Sequence, residues 1–323
     1  MDDRASHPVG GVNYPRTIQE FDQWFASEPA CQKFLQGLRW PTGFQCPACQ
    51  GTKSWLTARG QMHCSACQRP TSPTAGTVFD GTRKPLRMWF QAMWFVTNQK
   101  NGGSALGLQR LLGLRSYQTA WSWLHKLRRA MVRPGRDRLR GVVEVDETYV
   151  GGLEEGTYGR RIGKKALVAI AIEILSPRGF GRVRLRQIPN ASAPSLSKFV
   201  GDAVEPGSIV HTDGWAGYNE ITKLGYRREI SVLASSSELP HVDMPGVHRV
   251  ASLLKRWLLG THQGAVSRKH LDYYLDEFAF RFNRRTSKAR GLLFYRLVQK
   301  AVQVAPAPYA TLVAAKKGLG HNP

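Results

Sequence analysis

Cys46, Cys49, Cys64 and Cys67 stand in the spacing C-x2-C-x14-C-x2-C, and no other feature restricts the fold so tightly. Each C-x2-C knuckle lets two thiolates reach one ion, and the residues between can form a hairpin that brings the knuckles together. Four thiolates in tetrahedral array suit Zn2+, and a closed four-ligand site is structural rather than catalytic. The metal then supplies most of the folding free energy of so small a module. Paired close cysteines in a cytosolic chain mean metal rather than disulfides. His63 adjoins Cys64 as a weaker substitute ligand, and Cys31 reads as a small buried hydrophobe outside the site.

The chain of 323 residues is long enough for two or three domains with a real core. Its 46 Lys plus Arg against 23 Asp plus Glu leave a net charge of +23, which asks for a polyanion. Nucleic acid fits best, with an acidic membrane surface as the alternative. No apolar run of about eighteen residues and no secretory pattern is present, so a cytoplasmic, bacterial-type protein with no membrane partner is expected. The charge is concentrated: residues 81–140 hold thirteen basic side chains and one acid, Asp137, interleaved with Trp89, Trp94, Tyr117, Trp121 and Trp123. That mixture predicts a DNA-facing surface.

Five regions follow along the chain. Residues 1–40 form an N-terminal helical segment, opened by the capping pattern of Thr17 and Glu20. Residues 41–80 are the zinc ribbon. Residues 81–140 hold helices and a basic linker: Ser104 caps a short helix ending near Leu112, a Gly-containing turn follows, and Ser116 starts a longer helix bearing Ala120, Trp123, Leu124 and Leu127. Two helices so joined read as a helix-turn-helix. Its second helix would present Arg115, Tyr117 and Gln118 to the major groove, with Lys126 and Arg128 as further DNA contacts. An ordinary helical hairpin is the alternative. Residues 141–302 begin with three strand-like runs and continue with alternating helices and strands, an α/β pattern with a mixed sheet covered on both faces. Residues 303–323 read as a flexible tail.

The strand "VVEVDETYVGG" places Glu144, Asp146 and Glu147 within an apolar run, which is costly unless the acids are paired or bind a cation. Alternation puts Glu144 and Asp146 on one face and Glu147 on the other. In "IVHTDGWAGY" an apolar strand ends at Asp213, where mixed sheets commonly hold active sites. Asp146 and Asp213 can share hard divalent cations through oxygen, and two such ions activate an attacking oxygen and stabilise a leaving one at phosphorus. The alternative is that Asp213 caps the next helix and Asp146 pairs with an arginine. Spacing alone leaves both open.

"VEVDETYVGG", "HTDGWAGY" and "VHRVASLLKRWLLGTHQGAVSRKHLDYYLDEFAFRFNRR" together resemble the IS1595, ISXO2-like insertion-sequence transposases, as does a zinc ribbon followed by a helix-turn-helix. The resemblance runs from about Thr17 to Val302. It implies a ribonuclease-H-like catalytic domain of the DDE type that cuts and joins DNA at the ends of a mobile element. Two Mg2+ ions would be held by Asp146 and Asp213, with Mn2+ as a substitute. The third position departs from the DDE pattern, because His248 stands where the family helix carries Glu or Asn. Imidazole suits manganese better than magnesium. Asp243 and Glu277 are the other candidates for that position. Lys255, two helical turns beyond His248, resembles the family's lysine and would contact DNA phosphate. The partners implied are terminal inverted repeats, target DNA and further copies of the chain in a DNA-assembled homo-oligomer. The competing functions are a non-catalytic regulator derived from such an element and a ribonuclease-H-like nuclease without strand transfer.

Overall fold

Helix α1 (Ile18–Trp24) starts on Thr17, whose hydroxyl accepts the Glu20 N–H at 3.2 Å, while the Glu20 carboxylate returns to the Arg16 N–H at 2.7 Å. Helix α2 (Glu28–Arg39) buries Cys31 and Leu35. A three-stranded antiparallel sheet follows, built from β1 (Ser54–Leu56), β2 (Met62–Cys64) and β3 (Pro70–Thr71). Helix α3 (Leu86–Asn98) lacks a local side-chain cap, so Glu28 supplies the acceptor from a distance, 2.8 Å from the Leu86 N–H. Helix α4 (Ala105–Leu112) is capped by Ser104 and stops at Gly113, whose φ of 61° is the left-handed conformation that ends helices. Helix α5 (Tyr117–Met131) begins after Ser116. The computed structural model describes residues 7–132, 135–151, 165–175, 177, 179–231 and 244–314.

The chain divides into two units, and the second is inserted in the sequence of the first: residues 134–286 form one, while residues 287–314 rejoin residues 1–133. In the inserted unit, β4 (Val142–Val150), β5 (Ala166–Ile174) and β6 (Phe180–Ile188) run antiparallel. Helix α6 (Ala193–Ala203) leads to β7 (Ile209–Asp213), parallel to β4. A 3-10 segment, Ala216–Leu224, leads to β8 (Arg227–Ser231), parallel to β7. The strand order is β6-β5-β4-β7-β8. Helices α7 (Pro245–His262) and α8 (Leu271–Phe282) cover one face, where Val247, Val250, Leu254, Leu275 and Phe278 meet Ile170, Ile172, Val183 and Leu185. On the other face α6 and the 3-10 segment pack Leu196, Phe199, Tyr218 and Ile221 on Val143, Val145, Ala169 and Val210. Residues 166–173 of β5 are buried throughout, as expected of a strand covered on both sides.

Helix α9 (Arg290–Ala301) departs from the sequence-based boundaries. The region 141–302 was expected to be one domain, yet α9 belongs with the N-terminal residues. Its Phe294 is fully buried, with ring centroids 5.6–5.8 Å from Phe21, Phe25, Phe90 and Trp94. Gly291 lies directly against the Pro15 carbonyl, leaving no room for a Cβ. The Ala301 carbonyl accepts the Val78 N–H at 3.1 Å. The flexible tail expected over residues 303–323 is corrected at residues 309–313, and residues 315–323 lie outside the described residues. A short helix, α10 (Tyr309–Val313), buries Leu312 to 1% exposure and sets Tyr309 6.3 Å from Trp121. Among the described residues no helix is long and apolar enough to cross a membrane.

Candidate active site

The two cysteine knuckles are built alike. Gln50 and Gln68, each following the second cysteine of its pair, take left-handed φ angles of 62° and 58°. The chain therefore folds back, and their N–H groups bond the carbonyls of Cys46 and Cys64 at 2.9 and 3.0 Å. The sulfurs of Cys46 and Cys67 lie 3.6 Å apart, as do those of Cys49 and Cys64. A tetrahedron with Zn–S bonds of about 2.3 Å has edges of about 3.8 Å, so the four thiols fit structural Zn2+. The N–H groups of Cys49 and Ala48 hold the Cys46 thiol down to about 6, favouring the thiolate that binds metal. Cys31 is excluded: it is fully buried, and burial pushes its thiol up to about 12.

The acids of β4 separate by face. In the β4–β7 ladder Val142 pairs with Ile209, Val143 with Val210 and Glu144 with His211. Asp146 and Asp213 each stand two residues beyond that last pair. Strand alternation puts both carboxylates on the face that carries Glu144 and His211. Both are half-buried. Asp146 Oδ1 accepts the Glu147 N–H at 2.8 Å, and Asp213 Oδ1 accepts the Trp215 N–H at 3.1 Å.

Glu147 points to the opposite face, where its Oε2 accepts the Tyr218 hydroxyl at 2.6 Å. Burial raises the Tyr218 hydroxyl well above its ordinary range, followed by the charge of Glu147, its hydrogen bond, and the charges of Asp146 and Asp213. One phenol thus senses all three carboxylates. Arg228 on β8 braces the end of β7, donating to Thr212 Oγ1 at 2.9 Å, the Asp213 carbonyl at 2.8 Å, the Trp215 carbonyl at 3.0 Å and Asn219 Oδ1 at 2.5 Å. Tyr218 and Arg228 were missed in the sequence. The only signal for Tyr218 was its place five residues after Asp213, and nothing local marked Arg228.

Glu144 has a different task. The N-terminus of α7 has no local side-chain cap, and Glu144 Oε2 accepts the Val247 N–H at 2.9 Å from across the sheet. Burial raises its carboxyl pKa, against which the Val247 and Gly246 N–H groups act. Gly246 is required here, because a Cβ would stand 2.8 Å from Glu144 Oε2 and 2.9 Å from Ile174. The contact fixes the first turn of α7, and with it His248, on the acid-bearing strand. Glu144→Ala leaves those N–H groups buried without an acceptor and is expected to cost about 1–3 kcal/mol. Glu144→Gln retains an acceptor and should cost far less. Urea unfolding of the three proteins checks this, and matching midpoints for Ala and wild type would contradict it.

His248 is half-buried and Lys255 exposed on α7. Among the described residues, only the four cysteines form a set of three or more such ligands with all ligand atoms within 4.8 Å. Asp146, Asp213 and His248 therefore do not come together as one such set. Asp243 lies outside the described residues. Glu277 is fully buried on α8.

At the start of α5, Arg115, Tyr117 and Gln118 are exposed, and the Ser116 hydroxyl holds Gln118 Oε1 at 2.6 Å. Lys126 instead lays its amine over the Trp89 ring at 5.9 Å. Arg128 corrects the expectation outright. It is 1% exposed and lies in the buried stripe of α5 with Leu124, Leu127 and Met131, its guanidinium 3.5 Å from His125 Nε2. A side chain in that position is part of the core and cannot meet a duplex.

Residues 26–70 match the transposase zinc-ribbon domain of the IS1595 group, and residues 138–283 match its ISXO2-like transposase domain. Together the matches cover more than half of the chain, and the second falls within the inserted unit. A protein in transposable element ISH50 of Halobacterium salinarum, itself uncharacterized, is 28% identical over 80% of this chain and 91% of its own length. A four-thiol ribbon and a mixed sheet bearing Asp146 and Asp213 thus fall within the two matched domains. The chain belongs to the ISXO2-like transposases of the IS1595 group, with an N-terminal zinc ribbon.

Proposed function

We propose that the chain is a divalent-metal-dependent DNA transposase that binds the terminal inverted repeats of its element, cleaves there and transfers the strands to target DNA. The observation that carries this reading is that Asp146 and Asp213 each stand two residues beyond the last paired position, Glu144 with His211, of two adjacent parallel strands. Three antiparallel strands followed by two parallel ones, ordered β6-β5-β4-β7-β8, are consistent with the ribonuclease-H-like fold. Two carboxylates offer the oxygen donors that Mg2+ and Mn2+ prefer. When bound, two such ions supply activation of the attacking oxygen and stabilisation of the leaving one.

The chain's own residues position and neutralise. The Trp215 N–H orients Asp213, Arg228 holds that strand end, and the Glu147–Tyr218 bond buttresses Asp146 from the opposite face. Water attacks the phosphodiester at the element end, and the freed 3′-hydroxyl then attacks a target phosphodiester, one ester bond forming as another breaks. Lys255 contacts a phosphate as a point charge, and His248 is the third group of the site. Arg115, Tyr117 and Gln118 read the ends from a helix-turn-helix formed by α4 and α5, with most of the affinity from phosphate contacts. Two ends must be joined together, so the working form is a homo-oligomer assembled on DNA.

The test is cleavage of a plasmid carrying the DNA that flanks the gene, with Mg2+ and with Mn2+. Paired cuts at inverted repeats, followed by joining to a second plasmid, are expected. Cuts without joining would identify a nuclease, and binding without cuts under either metal a regulator.

A further inference from the structure

A cavity of about 700 Å³ opens within the N-terminal unit, where residues 10–18, α3 and the start of α9 meet. Its walls come from segments far apart in sequence. The Pro15 carbonyl lies against Gly291, where no Cβ fits, so the stretch before α1 is docked on the first turn of α9. Trp94 lines the cavity from α3, its ring centroid 5.1 Å from Phe21 and 5.6 Å from Phe294, which ties that wall to the aromatic core. Three cations line the cavity, Arg16, Lys288 and Arg290, and among the described residues no acid does. Arg16 is already engaged, donating from Nε to Glu20 Oε1 at 2.8 Å. Lys288 and Arg290 differ from it: among the described residues neither side chain has a hydrogen bond, an ion pair or a ring contact. Arg290 is nevertheless half-buried, and withdrawing an unpaired charge from water beside a second cation is costly.

We propose that this cavity seats one phosphodiester of the DNA backbone between Lys288 and Arg290. The inference rests on the proposed binding of DNA and adds a contact outside α4 and α5, none of whose residues lines the cavity. A phosphate relieves the repulsion between the two free cations. The guanidinium fork of Arg290 matches two phosphate oxygens at once, and the Lys288 ammonium adds a point charge. The volume is that of a site for a small molecule rather than a bare ion, which leaves space for the flanking deoxyribose. Ile18, 46% exposed on the cavity wall, offers that sugar an apolar surface. In a chain with a net charge of +23 the fitting polyanion is DNA, whose duplex presents a charge about every 1.7 Å along its axis. Backbone contacts carry no sequence information, so the cavity adds affinity and fixes the register in which other residues read the bases. The returning segment 287–314 therefore closes the N-terminal unit and also brings it two phosphate ligands.

The experiment measures binding of the full zinc-loaded chain to an element-end duplex and to a random duplex of equal length, over a range of salt concentrations. Changing Lys288→Gln and Arg290→Gln together should weaken binding to both duplexes about equally, by about tenfold or more at low salt. The slope of log affinity against log salt should become shallower by about 1.8, since each phosphate contact contributes about 0.9. Exchanging the two, Lys288→Arg with Arg290→Lys, should keep most of the slope. A scan with single uncharged methylphosphonate linkages then locates the contact: one position should weaken wild type and leave the Gln pair unaffected. An unchanged slope in the Gln pair would overturn the inference, as would a scan in which every position weakens both proteins alike. Saturable binding of a free deoxynucleotide, lost in the Gln pair while its DNA affinity stays at the wild-type level, would also overturn it by making the cavity a small-molecule site. Should wild type bind both duplexes equally, end recognition fails instead, and the slopes on random DNA still judge the cavity.

Discussion

Asp146→Asn is expected to lower end cleavage about a thousandfold while leaving end binding intact. The variant keeps the shape and one oxygen of the side chain but removes the charge that would hold a divalent ion. Loss of such an ion forfeits several kcal/mol of transition-state stabilisation, and each 1.36 kcal/mol is a factor of about ten in rate. Asp213→Asn should cost about as much. The double variant should be little worse than either single one, because residues that act as a unit are not additive. Binding should change by less than about threefold, since affinity comes mainly from phosphate contacts by basic side chains. Gel-shift and single-turnover cleavage assays on the same DNA separate the two effects. Cleavage surviving in either single variant would remove the aspartate pair from the mechanism.

Phe294→Ala should strongly destabilise the N-terminal unit, although the residue follows the matched transposase domain in sequence. Its ring fills the centre of a cluster formed by Phe21, Phe25, Phe90 and Trp94. Truncating a buried Phe to Ala costs about 3–5 kcal/mol, against a total stability of about 5–15 kcal/mol for a domain. Urea unfolding followed by tryptophan fluorescence should show an early transition, with loss of DNA binding at the same urea concentration. A chain ending at residue 286 should fail in the same way, because it lacks α9 altogether. A stable, DNA-binding fragment of residues 1–133 would contradict this architecture.

What was legible in the sequence was whatever local chemistry decides. The bounds of α4 and α5 follow from Ser104, Gly113 and Ser116, which sit at the helix ends. The cysteine spacing by itself implies a four-sulfur site. Alternation placed Glu147 on the face opposite Glu144, and the bond from Tyr218 lies there. What was illegible depends on chain segments distant in sequence. No periodicity in β4 reveals that Glu144 caps a helix a hundred and three residues later. Asp146 and Asp213 come onto adjacent strands only once β4 and β7 pair. Helix α9 has an ordinary amphipathic pattern, and its contiguity with the catalytic region suggested the wrong neighbour. Arg128 shows that a basic residue among basic residues need not be at the surface: helical spacing put it on the inner stripe of α5.

The three acids of β4 thus separate into a helix cap, a ligand candidate and a buttress, Glu144, Asp146 and Glu147 in turn. The central claim is that the middle one shares a cation with Asp213. The most direct measurement is an anomalous difference map from crystals of the full chain bound to an element end, grown with Mn2+. The account predicts manganese bonded to carboxylate oxygens of both Asp146 and Asp213, beside a zinc peak among the four cysteines that proves the signal. The same map reads whether His248 moves in to complete the set. A strong zinc peak with no manganese between the two aspartates, at saturating Mn2+, would contradict it.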